Sequence, residues 1–84
     1  MLELIEVELT AKTISRYQAI HRDHSERLAE AVNRVRYFCT PDVETTIARE
    51  ADKFVFRDQR SRLLTTPSFD HQGRWRAEVY LDLD

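Results

Sequence analysis

Eighty-four residues, 42% of them hydrophobic and 33% charged, describe a single folded domain over residues 1–84, too short for two cores. The net charge of −2 argues against a non-specific nucleic-acid binder, although eleven Arg against two Lys supply bidentate groups suited to interfaces or phosphates. Gly73 is the only glycine, which excludes phosphate-cradling loops, dinucleotide fingerprints and nucleophile elbows in their usual form, because each needs glycine at tight positive-φ positions.

No apolar run approaches the roughly 20 residues needed to cross a bilayer. Glu3, Glu6 and Glu8 stand where a secretory leader would carry Lys or Arg, so the protein is expected in the cytoplasm. Cys39 is the only cysteine, which rules out an internal disulfide and a cysteine-based zinc site within one chain. Small domains with a long apolar seam often complete their core by self-association, so a homodimer is expected.

In chain order, Leu2 to Leu9 alternates, with Ile5, Val7 and Leu9 on one face and Glu6 and Glu8 on the other, the pattern of a half-buried strand. Thr10 or Thr13 then caps a helix. Ile14, Tyr17, His21, His24, Leu28, Ala31, Val35 and Phe38 recur at steps of three and four, which predicts one long amphipathic helix over Ala11 to Cys39. Asp23 and Glu26 resemble a capping box and offer a break near Arg22-Asp23, but no Gly or Pro interrupts the run.

Thr40-Pro41-Asp42-Val43-Glu44 is the clearest local signal. Thr40 suits an N-cap, Pro41 the first helical position, and Asp42 and Glu44 the positive end of the dipole. The second helix carries Val43, Ile47, Ala51 and Phe54 on its buried stripe and is expected to run on towards Leu64, since no breaker precedes Pro67. The very short connection predicts that the two helices fold back on each other. Asp70-His71-Gln72-Gly73 reads as a turn, and Arg74 to Leu83 alternates as a strand whose partner lies around Ser68-Phe69. The expected fold is therefore α+β: an N-terminal strand, an antiparallel two-helix hairpin, and a C-terminal antiparallel β-hairpin or small sheet. If the first and last strands pair, Glu6 and Glu8 come near Arg74 and Arg76.

Few residues carry chemistry. His21 and His24 lie three apart on one helical face, with no obvious third ligand for a metal; buried rings there would make a pH-sensitive seam. The acids Asp42, Glu50 and Asp52 with Lys53 lack the strand-borne spacing of a metal-dependent nuclease. KTISRYQAI lacks the preceding helix and tight turn that helix-turn-helix binding requires. Arg57, Arg60, Arg62, Arg74 and Arg76, with Trp75 and Tyr80, form an Arg/aromatic cluster of the kind that protein interfaces and nucleic-acid contacts both use.

No catalytic residue, metal or cofactor is expected. The predicted function is that of a small non-enzymatic regulatory or inhibitory protein acting by protein–protein interaction through that cluster. One alternative is a nucleic-acid-binding regulator using the same surface. The other is a small metal-free ribonuclease-type toxin relying on His71 with Arg74, Arg76 and Tyr80. The expected architecture resembles the RelE/ParE toxin superfamily in its general order of elements, with no motif of that family matched.

Overall fold

A computed structural model of the chain describes residues 2–76. Five main elements alternate in type: β1 (Glu3–Glu8), α1 (Ile14–Glu30), β2 (Arg34–Cys39), α2 (Pro41–Phe54) and β3 (Leu63–Thr66), with one 3-10 turn at Arg60–Arg62. The strands form one sheet in the order β1-β2-β3, and both pairings are parallel. The expected helical hairpin and antiparallel sheet are therefore corrected: each helix is a crossover between neighbouring parallel strands. Right-handed crossovers between strands in sequential order put both helices on the same face. Contacts between α1 and α2 agree with this.

The main correction concerns Arg34 to Cys39. Val35 and Phe38 extend the helical period, but they belong to β2, in which Val35, Tyr37 and Cys39 are buried and Arg34, Arg36 and Phe38 are partly open. The chain leaves α1 at Ala31, which sits outside helical geometry, and the N–H of Val32 turns back to the Arg27 carbonyl. β-branched and aromatic residues favour the pleated conformation, and burial in the middle of a sheet decides the matter. Between Asp23 and Glu26 the helix is unbroken, and Thr13 caps its start by accepting from the N–H of Arg16.

Thr40 likewise accepts from the Val43 N–H, with Pro41 following at the first helical position. The second helix ends at Phe54, short of the expected continuation to Leu64, because Val55 turns to extended geometry and enters the core. Two arginines then secure the return to the sheet. Arg60 donates to Asp52 (2.7 Å) and to the Leu63 carbonyl (3.0 Å), while Arg62 donates to the Leu28 carbonyl at the end of α1 (2.9 Å). Cations satisfying terminal helix carbonyls stabilise the negative end of the dipole.

The core lies between sheet and helices: Tyr17 and Leu28 from α1, Val35, Tyr37 and Cys39 from β2, Val43, Ile47 and Ala51 from α2, with Val55 and Leu63. Each fully buried large apolar side chain contributes about 1.5–3 kcal/mol. After β3 the chain makes a tight hairpin in which Phe69 bridges Trp75 antiparallel. Gly73, at φ +80°, supplies the left-handed residue, and Asp70 Oδ1 accepts from the N–H groups of Gln72 and Arg74. Those N–H donors, Arg74 first, hold the Asp70 carboxyl below its usual range. The rest of the expected strand, beyond Arg76, lies outside the described residues.

Candidate functional site

Parallel register puts paired residues on the same face of the sheet. On the helix-facing side stand Leu4, Glu6 and Glu8 of β1, opposite Val35, Tyr37 and Cys39 of β2. On the other side stand Glu3, Ile5 and Val7, opposite Arg34, Arg36 and Phe38, with Leu64 and Thr66 from β3. Ile5 and Val7 thus point away from the helices while Leu4 packs inward against the core, the reverse for that pair of what alternation alone suggests. Ile5 is 49% and Val7 58% exposed. Leu9 continues this row, and Trp75 leans over it, with its ring 6.2 Å from Phe38 and 5.0 Å from Phe69.

The charges on this open face are already paired. Arg36 donates to Glu3 at 2.8 Å, and Arg34 lies 3.4 Å from the same carboxylate. Among the described residues the result is a row of apolar side chains bordered by two guanidiniums that share one carboxylate. A face of this kind is unusual, because parallel sheets occur almost only with both faces covered.

The inner face carries a second feature. Between β1 and α1 opens a cleft of about 340 Å³, with Glu6 and Glu8 on the strand side, Arg16, Ile20 and Asp23 on the helix side, and His24 and Tyr37 at its base. Lys12 bonds both carboxylate oxygens of Glu8, and Arg27 binds Asp23 at 2.8 Å. Glu6 makes no hydrogen bond or ion pair among the described residues. Burial first, then the neighbouring Glu8 charge, push its carboxyl above the usual range.

The two histidines of the seam are buried. His24 Nε2 lies 2.9 Å from the Tyr37 hydroxyl, while its Nδ1 has no hydrogen-bond partner. His21 stacks on Tyr17 with ring centroids 5.6 Å apart, and neither of its nitrogens has a partner. Burial lowers both imidazoles, His21 to about 4 with the His24 charge as the second cause. Burial likewise raises the Tyr37 hydroxyl and pushes the Cys39 thiol up to about 12. These groups are neutral near pH 7.

Among the described residues no group of three or more His, Cys, Asp or Glu side chains is placed to hold a metal ion. No helix there is long and apolar enough to cross a membrane. The nuclease-like acids Asp42, Glu50 and Asp52, with Lys53, all ride on α2, and Glu50 Oε1 is engaged by Lys53 (3.2 Å) and Arg49 (3.3 Å).

The Arg/aromatic cluster is dispersed. Arg60 and Arg62 tie elements together from within, and Arg57 is exposed just after α2. Arg74 and Trp75 belong to the hairpin beside the open face, with Arg76 following, and Tyr80 lies outside the described residues. His71 faces Asp42 at 3.3 Å on the surface. The expected nearness of Glu6 and Glu8 to Arg74 and Arg76 rested on an antiparallel pairing. Arg74 to Arg76 instead run antiparallel beside Ser68 and Phe69, and the rest of that expected strand lies outside the described residues, while the ion pairs of β1 join Glu3 to Arg34 and Arg36.

Sequence reasoning missed the open face because alternation shows that two faces differ without showing which one meets the helices. A usable signal was Arg34-Val35-Arg36-Tyr37, whose period of two marks β2 and places Arg36 beside the apolar row of β1. No family model, curated protein or solved structure matches the chain.

Proposed function

We propose that this is a non-enzymatic, cytosolic interaction protein that acts as a homodimer joined through the open face of its sheet. The observation that carries the reading is the exposure of Ile5 and Val7 on a parallel sheet, where apolar side chains are normally covered. A second copy suits the face because a two-fold axis sets the apolar row against itself. Glu3 is already held by Arg34 and Arg36 of its own chain, so apposing two copies leaves no unpaired carboxylate there. Trp75 at the border is the type of residue that anchors interfaces. A buried, free Cys39 fits a reducing compartment. The dimer would serve as the unit through which the protein regulates or inhibits another protein.

Sedimentation equilibrium at micromolar concentration tests this. The expected result is a dimer that Val7→Glu converts to a folded monomer, since Val7 is more than half exposed and its change leaves the core alone. A monomer at all concentrations, or a dimer indifferent to Val7→Glu and Ile5→Glu, overturns it.

A further inference from the structure

The cleft between β1 and α1 is separate from the open sheet face and has a chemistry of its own. Its volume, about 340 Å³, lies at the small end of the range of ligand pockets, about 300–1,000 Å³. It holds three carboxylates, and two of them are already matched: Glu8 by Lys12 and Asp23 by Arg27. The third, Glu6, is more than half shielded from solvent and makes no hydrogen bond or ion pair among the described residues; the charges of Glu8 and Asp23 act on it in one direction and those of Lys12 and Arg27 in the other. Arg16 also lines the cleft but makes no ion pair with it.

At the base lies His24, 3% exposed, with Nε2 occupied by Tyr37 and Nδ1 unpartnered. When Nε2–H donates to the Tyr37 oxygen, Nδ1 is a bare acceptor, and a buried acceptor left unsatisfied favours a donor that can reach it. In that tautomer the Glu6 carboxylate and His24 Nδ1 are both acceptors in one cleft, where Lys12 is engaged by Glu8 and Arg16 is the other cationic side chain of the lining. That donor demand is met by a group rich in N–H bonds and carrying positive charge. A metal ion is disfavoured, since no three ligating side chains converge among the described residues.

From these observations we infer that the β1–α1 cleft is a binding site for a small organic cation, a primary ammonium or guanidinium group held by the Glu6 carboxylate with His24 Nδ1 as second acceptor. Such a group comes either from a free amine or from a Lys or Arg side chain presented by a peptide. The recognising chemistry is the same.

Amide chemical shifts of the full chain at pH 7 test the site, with three probes: putrescine, N-acetyl-lysine amide and N-acetyl-arginine amide. At least one is expected to produce saturable shifts centred on Ile20 and His24, with a dissociation constant on the order of 1 mM. Tighter binding of putrescine identifies a free amine as the source, and tighter binding of a blocked amino acid identifies a peptide side chain. Glu6→Gln, which keeps shape and removes charge, is expected to weaken binding about tenfold, while Glu6→Asp weakens it less. Circular dichroism establishes that both variants are folded. The inference is overturned if none of the probes saturates by about 20 mM, if Glu6→Gln binds as tightly as the parent, or if acetate or Mg²⁺ binds in preference.

Discussion

Lowering the pH from 7.5 to 5 should destabilise the protein through His21 before most carboxylates begin to titrate. The ring is fully buried, stacked on Tyr17 and close to His24 and Tyr37, and neither nitrogen has a hydrogen-bond partner. Arg60 opposes protonation, and the Glu50 carboxylate only partly offsets this. The folded imidazole therefore titrates near 4, where the unfolded one titrates near 6.5. As pH falls through 6.5 the unfolded chain takes up a proton that the folded chain refuses, so stability is present above that pH and lost below it. The loss becomes complete only below the folded value. Linkage with these two values gives about 1.4 kcal/mol lost at pH 5.5 and about 2 kcal/mol at pH 5. His24, lowered by the same burial, adds in the same direction.

Urea denaturation followed by circular dichroism at pH 7.5, 6.5, 5.5 and 5 reads this directly as a falling midpoint. His21→Phe is the matched control: it keeps the stack on Tyr17, removes two unsatisfied buried nitrogens, and should be at least as stable at pH 7.5 with a shallower pH dependence. A parent profile flat between 7.5 and 5.5, or a His21→Phe profile as steep as the parent's, would show that the ring is not held neutral in the core.

Two further outcomes follow from the same layer of buried polar groups. Tyr37→Phe deletes the partner of His24 Nε2 (2.9 Å) and strands that nitrogen in the core, at a cost of about 1–3 kcal/mol in a urea melt; an unchanged midpoint would mean that the bond contributes nothing. Cys39, fully buried and with its thiol pushed up to about 12, should react with maleimide at pH 7.5 only as fast as the chain opens. Labelling at the rate of a free thiol in native buffer would place Cys39 at the surface.

What could be read without coordinates was whatever depended on neighbours in sequence. The Thr40-Pro41 helix start is legible because a cap is a bond from a hydroxyl to an amide three residues on, and Thr13 works in the same way. Tyr17, His21, His24 and Leu28 share a buried face because helical periodicity is local. The turn at Gly73 is local too. In each case the energy that decides the conformation acts within about one turn of backbone.

Three features were settled by the tertiary structure alone. The run from Val35 to Cys39 satisfies both a helical and a strand period over so short a span that only burial between β1 and β3 resolves it. Parallel rather than antiparallel pairing follows from each helix returning the chain to the same end of the sheet, a relation between segments far apart in sequence. The third is which face of β1 meets the helices. Alternation determined that Ile5 and Val7 lie opposite Glu6 and Glu8, and that holds. It did not determine that the acids face inward onto a cleft while the apolar pair faces outward, because period-two patterning is blind to direction until a second layer packs on one side.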